Sequence, residues 1–129
     1  MLLFTKKISK RGVSMKFTNQ SIVQLLDEIV QNTSQIYGDK LREIVLYGSY
    51  AKGQEDNESD IDIMVLVSID EKELSQYDEK INQMIGDISM KYLKVISLVD
   101  MNYEKFMKWV NVVPYYTSVS TEGVVLYAA

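Results

Sequence analysis

The sequence contains neither cysteine nor histidine. Without cysteine there can be no disulfide, thiolate nucleophile, iron–sulfur cluster or thiolate zinc site. Without histidine the commonest general base and the usual transition-metal ligand are missing. Any catalysis must rest on carboxylates, lysines, hydroxyls or backbone groups. A bound metal would be a hard, oxygen-seeking ion such as Mg²⁺ or Mn²⁺. Proline and glycine are scarce, at one and six of 129 residues, which excludes a linker or a low-complexity chain. No window approaches the ~18 apolar residues of a membrane helix. The apolar start Met1–Phe4 is too short for a signal peptide, and its lysines follow it instead of preceding it.

What is present suits a single compact core: 47% of residues are apolar and 25% charged, at a length typical of one domain. Charge is unevenly spread. Lys6, Lys7, Lys10, Arg11 and Lys16 give the first sixteen residues +5, and the remainder, with 9 basic and 18 acidic residues, carries −9. An acidic body repels phosphate backbones, which argues against broad nucleic-acid binding. Met15 opens a segment, Met-Lys-Phe-Thr, that reads like a second protein start. Residues 1–14 are therefore expected to be a disordered extension or a translation-start artefact, with a basic arm for an acidic partner as the alternative. Residues 15–129 form the expected domain, and the lack of cysteine is compatible with a reducing cytoplasm.

Apolar spacing predicts a helix over 21–37, with Ser21 and Gln24 as a capping box and Thr18 as a competing cap. Glu43–Tyr47 reads as a short buried strand, Asp60–Val67 as a second and Lys94–Val99 as a third. Between the last two, Leu74, Tyr77, Ile81, Met84, Ile85 and Ile88 share one helical stripe. Asn102 or Asp100 is a candidate cap for a helix through Phe106 and Trp109. Pro114 interrupts the chain, and Gly123–Tyr127 is a short apolar tail. The order α-β-β-α-β-α predicts an α/β (α+β) layer in which a small sheet needs helices packed on it.

The chemistry concentrates in residues 48–62. Alternate side chains of a strand share a face, so Asp60 and Asp62 point the same way, ~7 Å apart at the backbone, while Ile61, Ile63 and Val65 point into a core. Such a pair is a cradle for Mg²⁺, which takes one or two protein carboxylates and completes its shell with water and phosphate. Two such ions can stabilise the attacking and leaving oxygens of a phosphoryl displacement. Gly48 and Ser49 follow a strand directly, where a glycine lets backbone amides approach an anion and the serine hydroxyl can bond a phosphate oxygen. Lys52, one turn on, is a candidate for neutralising the same triphosphate. Taken singly, an aspartate pair can be a solvated strand start, Gly-Ser a plain turn and Lys52 a surface lysine. From this chain's own residue frequencies the conjunction arises by chance about two times in a thousand.

Segment 44–66, Ile-Val-Leu-Tyr-Gly-Ser-Tyr-Ala-Lys-Gly through Ser-Asp-Ile-Asp-Ile-Met-Val-Leu, resembles the signature of the DNA polymerase β nucleotidyltransferase superfamily. The chain's size resembles the superfamily's minimal bacterial and archaeal members. The resemblance implies the nucleotidyltransferase fold, with a mixed three- to four-stranded sheet. It implies transfer of a nucleoside monophosphate, usually AMP from ATP, to a hydroxyl acceptor. By matching positions Gly48 and Ser49 would hold the triphosphate, and Asp60 and Asp62 the metals. Some minimal members are antitoxins that adenylylate a tyrosine of a HEPN-domain toxin, and others resemble aminoglycoside nucleotidyltransferases. A chain this short implies an acceptor surface supplied by a partner or a second copy, so a homodimer is among the expectations. The family's third carboxylate, on the next strand, aligns with Ser97; Asp100 is the nearby candidate, but at odd separation it faces away unless a bulge intervenes. The alternative from another class is a degenerate module of the same fold that binds nucleotide or partner without chemistry.

Overall fold

The computed structural model describes residues 19–129, so the expectation for residues 1–14 lies outside the described residues. Helix α1 (Gln20–Tyr37) leads into strand β1 (Leu41–Tyr47), the one-turn helix α2 (Ser49–Lys52) and strand β2 (Ile61–Val67). A 3₁₀ segment, Glu71–Tyr77, precedes α3 (Asp78–Tyr92). Strand β3 (Ile96–Asn102), helices α4 (Tyr103–Trp109) and α5 (Pro114–Glu122) and strand β4 (Val124–Ala128) follow. The sheet order is β3-β2-β1-β4; β1 runs antiparallel to β2 and β4, and β2 runs parallel to β3. This is a mixed four-stranded sheet with helices on both faces, as expected for the fold class.

The period-2 alternation of β2 decides how the layers form. Ile61, Ile63, Val65 and Val67 enter the larger core with the apolar stripes of α1 and α3. Met64 and Leu66 enter a smaller core on the opposite face, with Met101, Phe106 and Val119. Asp62 is the one residue of β2 that is not buried.

Local details correct the sequence reading. The α1 cap is Asn19, whose Oδ1 accepts from the amides of Ser21 at 2.9 Å and Ile22 at 3.4 Å. Ser21 thus lies inside the helix, and Thr18 lies outside the described residues. Pro114 begins α5 instead of breaking the chain, because a first helical position has no need of an amide hydrogen. The apolar tail is a strand because β1 offers it a free edge, with Leu46 opposite Val124 and Glu43 opposite Ala128.

Helices α1 and α3 are cross-linked through Glu28, whose carboxylate accepts from the Tyr92 hydroxyl and from Lys91 Nζ, the latter at 2.9 Å. The Tyr92 bond, followed by Lys91, holds the Glu28 carboxyl below the usual carboxylate range. A lowered carboxyl favours folding above its unfolded value of ~4.3 and ceases to do so as the pH falls through the folded one. Glu28→Gln should therefore flatten the acid limb of stability against pH, measured by thermal unfolding between about pH 3 and 6.

Candidate active site

Two stretches separated in sequence meet at one end of the sheet because Tyr47 of β1 pairs with Asp62 of β2. The chain leaves β1 through Gly48 at φ +74° and ψ −154°, a conformation essentially reserved for glycine. It then coils into α2, with Lys52 N–H donating to Gly48 C=O at 3.2 Å and Gln54 N–H to Ser49 C=O at 2.9 Å. A Cβ on Gly48 would stand 2.3 Å from Asp62 Oδ2. The Asp62 carboxylate therefore lies directly on the Gly48 backbone, in the space a side chain would fill. The Gly48-Ser49 turn and the aspartate strand form one site.

Asp60 sits just ahead of β2 and is exposed. The loop leading to it is shaped by Asp56, whose Oδ1 accepts from Glu58 N–H at 2.9 Å and from Ser59 Oγ at 3.2 Å. Its end is pinned to the start of β3 by Ile61 N–H donating to Val95 C=O at 2.9 Å. Burial raises the Asp62 carboxyl above the ordinary aspartate range, and the nearby charge of Asp60 raises it further. Both causes would be relieved by a cation. Among the described residues no third carboxylate, histidine or cysteine joins them into a larger cluster. Two hard carboxylates fit an ion such as Mg²⁺, whose remaining positions go to water and substrate phosphate.

The position beside Asp62 on β3 is Ser97, and the β2–β3 register runs without a bulge from Ile61↔Ile96 to Val67↔Asn102. Asp100 therefore falls opposite Val65, on the other face, where its Oδ2 accepts from the Tyr37 hydroxyl at 2.7 Å. The structure does not bring Asp100 to Asp60 and Asp62. Nor does Asp100 cap α4: that role belongs to Asn102, whose Oδ1 accepts from Lys105 N–H at 2.9 Å.

Lys52 points toward α5, its Nζ 3.6 Å from Glu122 Oε1, which also accepts from Ser118 Oγ at 2.6 Å. At the other end of α5, Tyr115 shares a 2.7 Å hydroxyl–hydroxyl bond with Tyr47. Burial, then this bond, then the charge of Asp62 push the Tyr47 phenol well above its ordinary range, so it stays protonated. Helix α5 thus grips the turn on both sides. Sequence reasoning had no route to this clamp, because neither Tyr47–Tyr115 nor Lys52–Glu122 is a local pair. Among the aromatic residues of α4 and α5, Phe106 is buried, whereas Trp109 and Tyr115 are about two-fifths exposed, at 41% and 42%. Tyr115→Phe removes one partly exposed hydrogen bond and should cost about 0.5–1.5 kcal/mol in denaturant unfolding.

These features define a nucleotidyltransferase. The family model for the nucleotidyltransferase domain matches residues 26–118, and the chain belongs to that family. Two proteins of Methanocaldococcus jannaschii, MJ0141 and MJ0604, each named "Putative protein adenylyltransferase", are similar to it. The first is 36% identical over 87 residues, 67% of this chain and 84% of its own length. The second is 32% identical over 102 residues, 79% of this chain and 94% of its own length. Among solved structures, a toxin-antitoxin crystallised with AMP-PNP has the same fold, with a TM-score of 0.52 and 22% identity, over 81% of this chain and 73% of that one. No described helix is long and apolar enough to cross a membrane.

Proposed function

We propose that this nucleotidyltransferase moves AMP from ATP to a hydroxyl of a protein acceptor, a tyrosine of a partner toxin of the HEPN type. The observation that carries the reading is the contact of the Asp62 carboxylate with the Gly48 backbone, which joins a phosphate-holding turn to a metal-holding pair. The names of the archaeal relatives and the toxin-antitoxin neighbour support the acceptor class. Gly48 and Ser49 would hold the triphosphate, Asp60 and Asp62 would hold Mg²⁺, and Lys52, now beside Glu122, would neutralise a phosphate oxygen. A divalent cation held there would stabilise charge on the attacking and leaving oxygens of an in-line displacement. In the transfer, a bond forms between the acceptor oxygen and the α-phosphorus, and the α-phosphorus–oxygen bond to pyrophosphate breaks. With Ser97 beside Asp62, the hydroxyl's proton passes to solvent or to a group of the acceptor. ATP and such an acceptor both imply the cytoplasm.

Ser97 also favours a second reading, a module that binds nucleotide or partner without transferring anything. Incubation with ATP, Mg²⁺ and a HEPN-domain toxin, read by intact mass, separates the two. Gain of AMP by the toxin, lost with Asp60→Asn, supports transfer. Nucleotide binding with no mass gain on the toxin supports the second reading.

A further inference from the structure

Strand β3 is one of the two outer strands of the described sheet, and it lies directly beside the candidate site. Ile61 N–H bonds to Val95 C=O, so the odd-numbered residues of β3 bond to β2. The amides and carbonyls of Ile96, Leu98 and Asp100 consequently point to the free edge. The next amide in that series, Asn102, is already capped by Glu71 Oε2 at 2.8 Å. Lys94 N–H is taken by Ser89 C=O at 3.2 Å, closing the other end. A stretch of backbone pairing groups thus remains open between two stops.

The side chains along this edge are unusual for one facing water. Val95 is 63% exposed and Val99 36%. Met90 and Leu93, which line a shallow depression with the start of β3, are 81% and 88% exposed. Exposed edges are ordinarily protected by charge, proline or a bulge, and this one has none along 95–99.

The geometry points to a second copy of this chain as the occupant, pairing antiparallel through β3 about a two-fold axis at Ser97. In that register Ile96 faces Leu98 of the other copy, Val95 faces Val99, and Lys94 faces Asp100. All three free amides find a carbonyl: Ile96 and Leu98 exchange bonds, and Asp100 N–H reaches the Lys94 C=O. Lys94, which makes no ion pair among the described residues, gains a carboxylate directly opposite. The register shifted to centre on Leu98 satisfies the same amides but sets Asp100 against Ile96 and leaves Lys94 opposite the capped Asn102. Charge and apolar pairing both select the first. The two Asp62 sites then open on the same face of a continuous eight-stranded sheet, about 14 Å apart across three strand spacings. This inference does not depend on the reaction proposed above, and its test needs no nucleotide.

Light-scattering mass of the full chain should be twice the chain mass. Lys94→Asp and Val95→Lys should each return it to one chain at equal concentration, with circular dichroism unchanged. Because the sequence has no cysteine, Ser97→Cys provides a single thiol on the axis, in a non-hydrogen-bonded pair where Cβ atoms approach most closely. Mild oxidation should convert that variant to a covalent dimer, while Gln54→Cys on the exposed α2–β2 loop stays uncrosslinked. A single-chain mass at every concentration overturns the proposal. So does a dimer that persists in Val95→Lys, or one in which the Ser97→Cys thiols fail to join.

Discussion

Gly48→Ala should abolish the Mg²⁺–ATP response and lower the unfolding midpoint by several degrees. Two costs combine. Alanine at φ +74° and ψ −154° is strained by about 1–3 kcal/mol, and for a domain this size each kcal/mol shifts the midpoint by several degrees. The new methyl also occupies the place of Asp62 Oδ2, 2.3 Å away. Either the carboxylate turns away from Gly48 or the turn moves off β2, and each would disconnect the phosphate and metal positions proposed above. Gly53→Ala is the matched control. It too has positive φ, +69°, but nothing stands within 4 Å of its Cβ position. Its backbone strain should cost about 1 kcal/mol and leave nucleotide binding intact. The measurement is thermal unfolding of both variants with and without Mg²⁺–ATP. Equal loss of the ligand response in both would mean that strain in the turn matters and the Asp62 contact does not.

Asp62→Asn should do the opposite to the free protein. The Asp62 carboxyl is raised by burial and by Asp60, so its ionised form opposes folding at neutral pH. A carboxyl with a raised folded pKa binds its proton more tightly in the native state, so stability falls as the pH rises through the interval between unfolded and folded values. The amide removes that penalty and keeps the shape. Free Asp62→Asn should thus unfold at the parent's midpoint or slightly above it at pH 7. Ligand at 100 times its dissociation constant adds ~2.7 kcal/mol to the parent, and this increment should vanish in the variant. A variant stabilised by Mg²⁺–ATP as much as the parent would remove Asp62 from the site.

The candidate site could be read from the sequence because its two halves are each local. Gly48-Ser49 abuts one strand and Asp60-x-Asp62 opens the next, so strand periodicity alone predicts that Asp60 and Asp62 share a face and Ile61 and Ile63 a core. The same period-2 rule applied to β3 puts Ser97 beside Asp62 and turns Asp100 away, and the unbulged register agrees. Less was legible wherever a partner far along the chain decides the outcome. Val124–Ala128 is too short to declare itself a strand and becomes one because β1 has an unpaired side. Asn19 prevails over Ser21 as the α1 cap because the first turn begins two residues earlier than the capping box suggested. Tyr47, the cross-strand neighbour of Asp62, looked like any apolar strand residue, and its bond to Tyr115 spans most of the domain.

The strand that presents Gly48 is flanked on one side by β4, far along the chain, with Glu43 paired to Ala128. During synthesis, which proceeds from the amino terminus, β1 and β2 leave the ribosome well before β4 can reach them. Until it does, the strand ahead of the Gly48-Ser49 turn has one bare side, and α5, which grips that turn through Tyr115 and Glu122, lacks the strand that ties its end to the sheet. Closing this long loop is the entropically slow step of such a topology. A nascent or truncated chain ending before Pro114 would hold the complete Gly-Ser and Asp-x-Asp signature and yet lack both α5 and β4. On the function proposed above, competence for nucleotide therefore waits on α5 and β4, elements far along the chain from the motif they support.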